Sequence, residues 1–228
     1  LIVIKIISSM ATSQLLSELA AKWQRDSGIQ VSIESVGGVD AAKRVQAGEA
    51  FDGVVLASDA IDKLAVNGSV VAGSRVDLVR SSVAVAVKAG TQLPDISTEA
   101  ALRRAIDAAP TIGYSTGPSG MALIKLFERW GVMAALQSRI VQAPPGVPVG
   151  SLLARGDVAL GFQQLSELMH LDGVSVVGTL PDPVGITTIF SAAVCTASTQ
   201  RETVVQLIAF MAASSTVSVK QRLGLQPA

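Results

Sequence analysis

The chain has 228 residues, 49% of them apolar, enough to bury a sizeable core as one large domain or two small lobes, and this excludes disorder. Its 18 basic and 18 acidic residues cancel, and the basic ones are scattered, with pairs such as Lys43-Arg44 and Arg103-Arg104 as the densest groups; that is not the electrostatic footprint of a nucleic-acid binder. One cysteine, Cys195, precludes an intrachain disulfide and reads as a buried structural thiol, and no run approaches the ~20 apolar residues of a membrane span.

Residues 1–7 are a β-rich apolar run. Lys5 interrupts it, and it is shorter than the core of about 7–15 residues that a signal peptide needs, so the chain is read as carrying no leader while one removed in processing stays compatible with it. Ser8-Ser9 follows, and Leu15, Leu16, Leu19, Ala20 and Trp23 then fall on one helical stripe. A second strand-turn-helix copy has its strand at 31–36, its turn at Gly37-Gly38, and a helix carrying Ala41, Ala42 and Val45. Residues 52–57 read as a third strand ending in Ala57-Ser58-Asp59 before a short helix over 61–66, and Asn67-Gly68 is a turn. The sequence SVAVAV at 82–87 is a strong strand; 90–94 leads from it to a helix capped near Ser97 that turns Ala101, Leu102, Ala105 and Ile106 inward.

The same unit recurs at 111–114, with a turn of hydroxyl, Gly and Pro residues over 115–120 and a helix carrying Ala122, Leu123, Leu126, Phe127 and Trp130. The proline-rich 143–148 is the clearest loop. A short helix over 149–154 ends at Gly156, 158–162 is a strand followed by Gln163-Gln164, and 174–177 is another strand. The last long strand is 187–194. Thr199 and Glu202 then have the spacing of a capping box for a helix burying Val204, Val205, Ile208 and Met211. This alternation predicts an α/β fold with largely parallel sheets. With 82–87 and 187–194 as crossover strands, 1–81 and 189–228 form one Rossmann-like lobe, 82–188 a second, and a ligand sits between them.

Each turn places free N–H groups, small side chains and the positive end of a helix dipole at a sheet edge, which favours an oxygen-rich anion. Ser8-Ser9-Met10 equally suits a helix N-cap, and the two roles are compatible. Gly37-Gly38-Val39 is a tight turn whose glycines also admit a ligand close to the backbone. Ala57-Ser58 ends the third strand in the same way. The 114–120 segment is more specific, setting Ser115 and Ser119 beside Tyr114 in a Gly and Pro loop. Around Ser119 the G-x-S-x-G pattern of a nucleophile elbow fails, because its fifth position is Met121.

Catalysis finds little support in the residues. His170 is the only histidine and reads as a surface residue, so a hydrolase using Ser119 lacks a base. There is no His or Cys cluster for a transition metal, and Walker A and G-x-G-x-x-G spacings are absent. Asp59 and Asp62 sit on a helical surface facing solvent. The expectation is a binding protein with no cofactor.

Taken together the residues resemble the periplasmic substrate-binding proteins of ABC transporters, in the molybdate-binding-protein-like branch of the type II periplasmic-binding-protein fold. The resemblance rests on Ile7-Ser8-Ser9-Met10, Gly37-Gly38-Val39-Asp40, the Ala47-Gly48-Glu49-Ala50-Phe51-Asp52 segment, Pro118-Ser119-Gly120, the run from Leu153 to Gly161 and Phe190-Ser191-Ala192. It implies oxyanion contacts from a first-turn serine, matched by Ser9 or, one register away, Ser8. The serine expected in the second turn is replaced by Gly37-Gly38-Val39. Ser119-Gly120, flanked by Met121, and the Val147-Pro148 region match backbone-donating loops, and Gln163-Gln164 stands where the family has a tyrosine.

Glutamine donates and accepts at once, so the expected ligand is a small organic carboxylate ahead of a molybdate-type oxyanion. The resemblance further implies a monomeric periplasmic protein with an ABC-transporter permease as partner. The alternative is the effector-binding domain of a LysR-type transcriptional regulator, which shares the two-lobed architecture and would carry a basic helix-turn-helix ahead of residue 1.

Overall fold

Alternation of side chains decides how each sheet is covered. Residues 3–228 are described in this computed structural model, and the expectation for Leu1 and Ile2 lies outside them. Strand β1 (Val3–Ser9) sends Ile4 and Ile6 to one face and Ile7 to the other. A single 3₁₀ turn, Met10–Thr12, leads into α1 (Ser13–Ser27), followed by β2 (Gln30–Val36), α2 (Gly38–Gln46), β3 (Gly53–Ala57) and α3 (Ser58–Val66). Leu15, Leu16 and Leu19 of α1 cover the Ile4 face, and Ala41, Val45, Ile61 and Leu64 of α2 and α3 cover the Ile7 face.

The chain then enters β4 (Val76–Lys88), which is longer than SVAVAV alone, and continues through α4 (Glu99–Ala108), β5 (Ile112–Tyr114), α5 (Pro118–Arg129), α6 (Met133–Leu136) and β6 (Ile140–Gln142). After α7 (Val149–Arg155) come β7 (Leu160–Gln164), α8 (Leu165–Leu168) and β8 (Val174–Thr179). The return is through β9 (Thr187–Val194) to α9 (Arg201–Ala212), α10 (Val217–Arg222) and β10 (Leu225–Pro227). Two compact units result: one runs to Arg80 and resumes over Ile189–Ala228, the other is Ser81–Thr188. Both boundaries fall inside strands, β4 and β9.

In the first unit β1 pairs in parallel with β2 and β3, and β3 pairs antiparallel with β9. In the second, β5 pairs in parallel with β6 and β7, and β7 pairs antiparallel with β4. The orders β2-β1-β3-β9 and β6-β5-β7-β4 are the same pattern used twice. The antiparallel strands β4, β8 and β9 make both sheets mixed, where the alternation of strand and helix alone pointed to largely parallel ones.

SVAVAV explains the second unit's asymmetry. Val83, Val85 and Val87 face a thick layer with Leu102, Ile106, Leu123 and Phe127, while Ala84 and Ala86 face α7 through Val149 and Leu153. Small residues let α7 press close. A Cβ on Gly161 would stand 2.7 Å from Leu153 and 2.9 Å from Val149, and one on Gly113, its register partner, 2.9 Å from Val158. That close approach fixes the start of α7 beside the end of β7.

Three local expectations change. The α4 cap is Thr98, whose Oγ1 accepts from Ala101 N–H at 3.1 Å, one residue beyond Ser97. No capping box forms at Thr199: the N-cap is Gln200, and the chain is tethered instead by Ser198, which donates to Asp52 at 2.6 Å and accepts from Gln200 N–H. In α9, Leu207 is buried with Val204, Ile208 and Met211, while Val205 is 54% exposed, because it lies off the stripe set by the other four. Cys195, just beyond β9, is buried, and burial beside the Asp52 carboxylate pushes its thiol up to about 12. His170 is exposed.

Candidate functional site

The first unit's parallel strands all finish at one edge, at Ser9, Val36 and Ala57. In an open α/β sheet of order β2-β1-β3 the chain winds away in opposite directions from β1, so the crevice for a ligand opens between the ends of β1 and β3. Register pairs Ser8 with Ser35, and their hydroxyls are hydrogen-bonded at 2.8 Å. Ser8 is thereby satisfied. Ser9 Oγ is buried and has no hydrogen-bond partner among the described residues. A Cβ on Gly38 would lie 3.7 Å from Ser9 Cβ, so the serine side chain rests against the second turn.

The first N–H groups of α2 and α3 lie beyond reach of any intrahelical carbonyl, as at every helix start. They open at Gly38 and Ser58, each half-buried, with Gly37 half-buried and Ala57 buried as the caps before them. Met10 and Val39 flank the turns as exposed apolar side chains, and Asp40 is the acidic residue in the first turn of α2. Two other motif residues are structural: Ser191 donates to Asp77 at 2.6 Å, and Asp52 accepts from Lys5 N–H and Ser198. The Ser191 bond, with Arg75 beside it, holds the Asp77 carboxyl below its usual range.

The second unit repeats this edge with different valences. Ser115 and Ser119 hydroxyls bond each other at 2.9 Å across the turn. Pro118 opens α5, and a Cβ on Gly120 would stand 1.8 Å from the Ser115 carbonyl oxygen, so only glycine closes the turn. The Tyr114 ring packs on the core and lies over Gly120, while its carbonyl accepts from Ala143 N–H at 2.8 Å. Met121 is exposed beyond the turn. Val147 gives its N–H to Pro144, so that loop's donor is engaged.

Gln163 and Gln164 are buried and belong to β7 itself, where the sequence placed them just after the strand. Gln163 Oε1 accepts from Val149 N–H at 2.8 Å, and its Nε2 donates to Glu167 Oε1 at 2.8 Å. Gln164 Nε2 donates to Thr188 Oγ1 at 2.9 Å, leaving Gln164 Oε1 buried without a partner. Glu167 and Ser35 were not singled out by the sequence. Desolvation pushes the Glu167 carboxyl up to about 7, against the pull of the Gln163 bond. An open recess of about 470 Å³ elsewhere in this unit, at Ser82, Ser97 and Asp182, contains none of the candidate residues.

Uncharged donors at strand ends, with no lysine or arginine in the turns, are the chemistry of a small-anion receptor. The model of the bacterial extracellular solute-binding protein family matches residues 4–226. The chain belongs to that family. This solute-binding protein is 32% identical, over 97% of its own length and 87% of the relative's, to an aconitate isomerase of a Pseudomonas species. Its fold matches the periplasmic molybdate-binding protein of Azotobacter vinelandii with a TM-score of 0.80 at 20% identity, covering 97% and 98% of the two chains. PEB3 of Campylobacter jejuni, solved with L-phospholactate bound, matches with a TM-score of 0.75 at 12% identity, covering 99% and 100%. The expected type II periplasmic-binding-protein fold, of the molybdate-binding-protein kind, is therefore the fold observed. One fold thus serves an inorganic oxyanion in one neighbour and an organic acid in another, and side chains must decide the ligand of this solute-binding protein.

Proposed function

We propose that this protein is an extracytoplasmic receptor that captures a small organic polycarboxylate for an ABC-transporter permease. Four buried polar side-chain atoms lack a partner among the described residues, Ser9 Oγ, Trp23 Nε1, Ser81 Oγ and Gln164 Oε1, and the reading is carried by the two that lie at the candidate strand ends: Ser9 Oγ in the first unit, able to donate, and Gln164 Oε1 in the second, able only to accept. A buried polar atom left unpaired costs about 1–3 kcal/mol, so each points to a group the ligand supplies. A fully deprotonated tetrahedral oxyanion offers only acceptors, whereas an organic acid with a hydroxyl or protonated carboxyl carries a donor as well, the chemistry that each unit's open atom asks for by itself. The name of the Pseudomonas relative adds a tricarboxylate, aconitate, to the ligands worth testing.

Titration calorimetry against cis- and trans-aconitate, citrate, succinate, molybdate, tungstate and sulfate tests this. The expected result is binding of one or more carboxylates, weakened in Ser9→Ala by about 0.5–1.5 kcal/mol while the unfolding midpoint of the free protein does not fall. Tight molybdate or tungstate binding with silence from every carboxylate would overturn it.

A further inference from the structure

Of the buried atoms without a partner, Ser81 Oγ stands next to Gln164. Both residues are buried and both belong to the second unit. Side chains alternate along β4, so Ser81 shares with Val83 and Val85 the face that meets Leu102, Ile106 and Leu123. Val83 is the register partner of Gln164, which puts the Gln164 side chain on that same face, two residues on from Phe162.

From there the Gln164 amide crosses β4. In the strand order β4 lies between β7 and β9, and Gln164 Nε2 donates to Thr188 Oγ1 of β9, so the amide passes over β4 beside Val83. Val83 gives its N–H to the Ile186 carbonyl at 2.9 Å. Two residues from that bond toward the unit boundary stand Ser81 on one strand and Thr188 on the other, and the amide therefore leans to the Ser81 side. A hydroxyl and an amide oxygen, each without a partner, are thus neighbours on one face, and no bond joins them.

One third group has to serve both. An ammonium satisfies only Gln164 Oε1 and a carboxylate only Ser81 Oγ, whereas a hydroxyl donates to the first and accepts from the second. Gln164 also ends β7 at the edge where the register of Tyr114 with Phe162 brings the start of the 115–120 turn level with Gln163 and Gln164. From that turn to the pair on β4 is two strand spacings, about 10 Å. A tetrahedral oxyanion held at the turn is too small to reach it; a branched acid of several carbons is not.

We infer that Ser81 and Gln164 form a socket for a ligand hydroxyl, which makes the receptor selective for hydroxylated polycarboxylates over plain or unsaturated ones. The inference rests on the polycarboxylate reading. The ligand O–H donates to Gln164 Oε1, its oxygen accepts from Ser81 Oγ, and the bond to Thr188 keeps the amide oxygen turned toward it. An acid without the hydroxyl leaves both atoms buried and unpaired, the arrangement by which a polar site rejects an analogue most strongly.

Calorimetry on the whole chain with pairs of acids that differ by one hydroxyl, citrate against propane-1,2,3-tricarboxylate and malate against succinate, tests the socket. The expected result is that the hydroxylated member of at least one pair binds about tenfold tighter or more. Ser81→Ala and Gln164→Met should each cut that preference to about threefold or less, with the affinity for the plain acid within about threefold of wild type. Equal affinities within each pair in the wild type would mean that water fills the socket; that overturns the inference and leaves the receptor reading standing, as does binding confined to acids without a hydroxyl, trans-aconitate among them. A full preference surviving in either variant overturns the assignment to these two residues. Absence of binding to every carboxylate removes both readings.

Discussion

The two units use the same strand order and the same strand-turn-helix edge, yet they leave different valences open. In the first, the turn hydroxyl Ser9 is buried without a partner and rests on a glycine turn that has room to spare. In the second, Ser115 and Ser119 satisfy each other, the turn is closed so tightly that a methyl group does not fit, and an ionisable group stands one strand away. Topology repeated twice therefore does not mean a site repeated twice. The first edge is arranged to receive hydrogen-bonding partners, whereas the second is internally complete apart from Gln164 Oε1 and a carboxyl that changes charge near neutrality.

The contrast between the glycine turns should give the largest effect. Gly120→Ala places a methyl group 1.8 Å from a backbone oxygen, and its cost in urea denaturation should be about 3 kcal/mol or more. Gly38→Ala, whose nearest contact would be 3.7 Å, should change stability by no more than about 1 kcal/mol and in the favourable direction, since alanine suits a helix start better than glycine does in entropy. Equal penalties would dissolve the distinction between a closed and an open turn.

Next comes the pH dependence, which should have opposite signs in the two units. Glu167 keeps its proton in the folded state up to about 7, while the unfolded chain releases it near 4.5. Between those values the folded state binds more protons, so the second unit loses stability as pH rises through that window, by about 1–3 kcal/mol after allowance for partial exposure. Asp77 in the first unit is shifted down, so its contribution is present above the usual carboxylate range and is lost as pH falls below it. Denaturation midpoints from pH 2 to 8 should show the alkaline loss vanish in Glu167→Gln and the acid loss persist. An unchanged slope in that variant would mean the carboxyl is not desolvated as described.

The smallest contrast lies in helix caps. Thr98→Ala removes a formed cap on α4 and should cost about 1 kcal/mol, whereas Thr199→Ala touches no cap on α9 and should stay within about 0.5 kcal/mol. Thermal melts of the two variants, side by side, decide it.

Much of the frame was legible because it is written in short-range patterns. SVAVAV announced a strand, and the recurrent turn after each apolar run marked the sheet edges. What escaped depended on partners distant in sequence. Ser8 is satisfied by Ser35 only through the register of β1 on β2. The capping spacing at Thr199 lost to a tether between Ser198 and Asp52, which sequence spacing cannot foresee. Gln163 looked like a ligand group, but both ends of its amide are occupied, by Val149 and by Glu167. The buried state of Glu167 follows from neighbours assembled by the fold and not from its own segment.

The burial of Cys195 has a practical corollary. A thiol pushed up to about 12 is almost wholly protonated at neutral pH and sheltered from reagents, so alkylation must wait for the end of β9 to part from its surroundings. Because the other unit carries no cysteine, labelling kinetics clock the opening of the first unit alone, with no engineered probe.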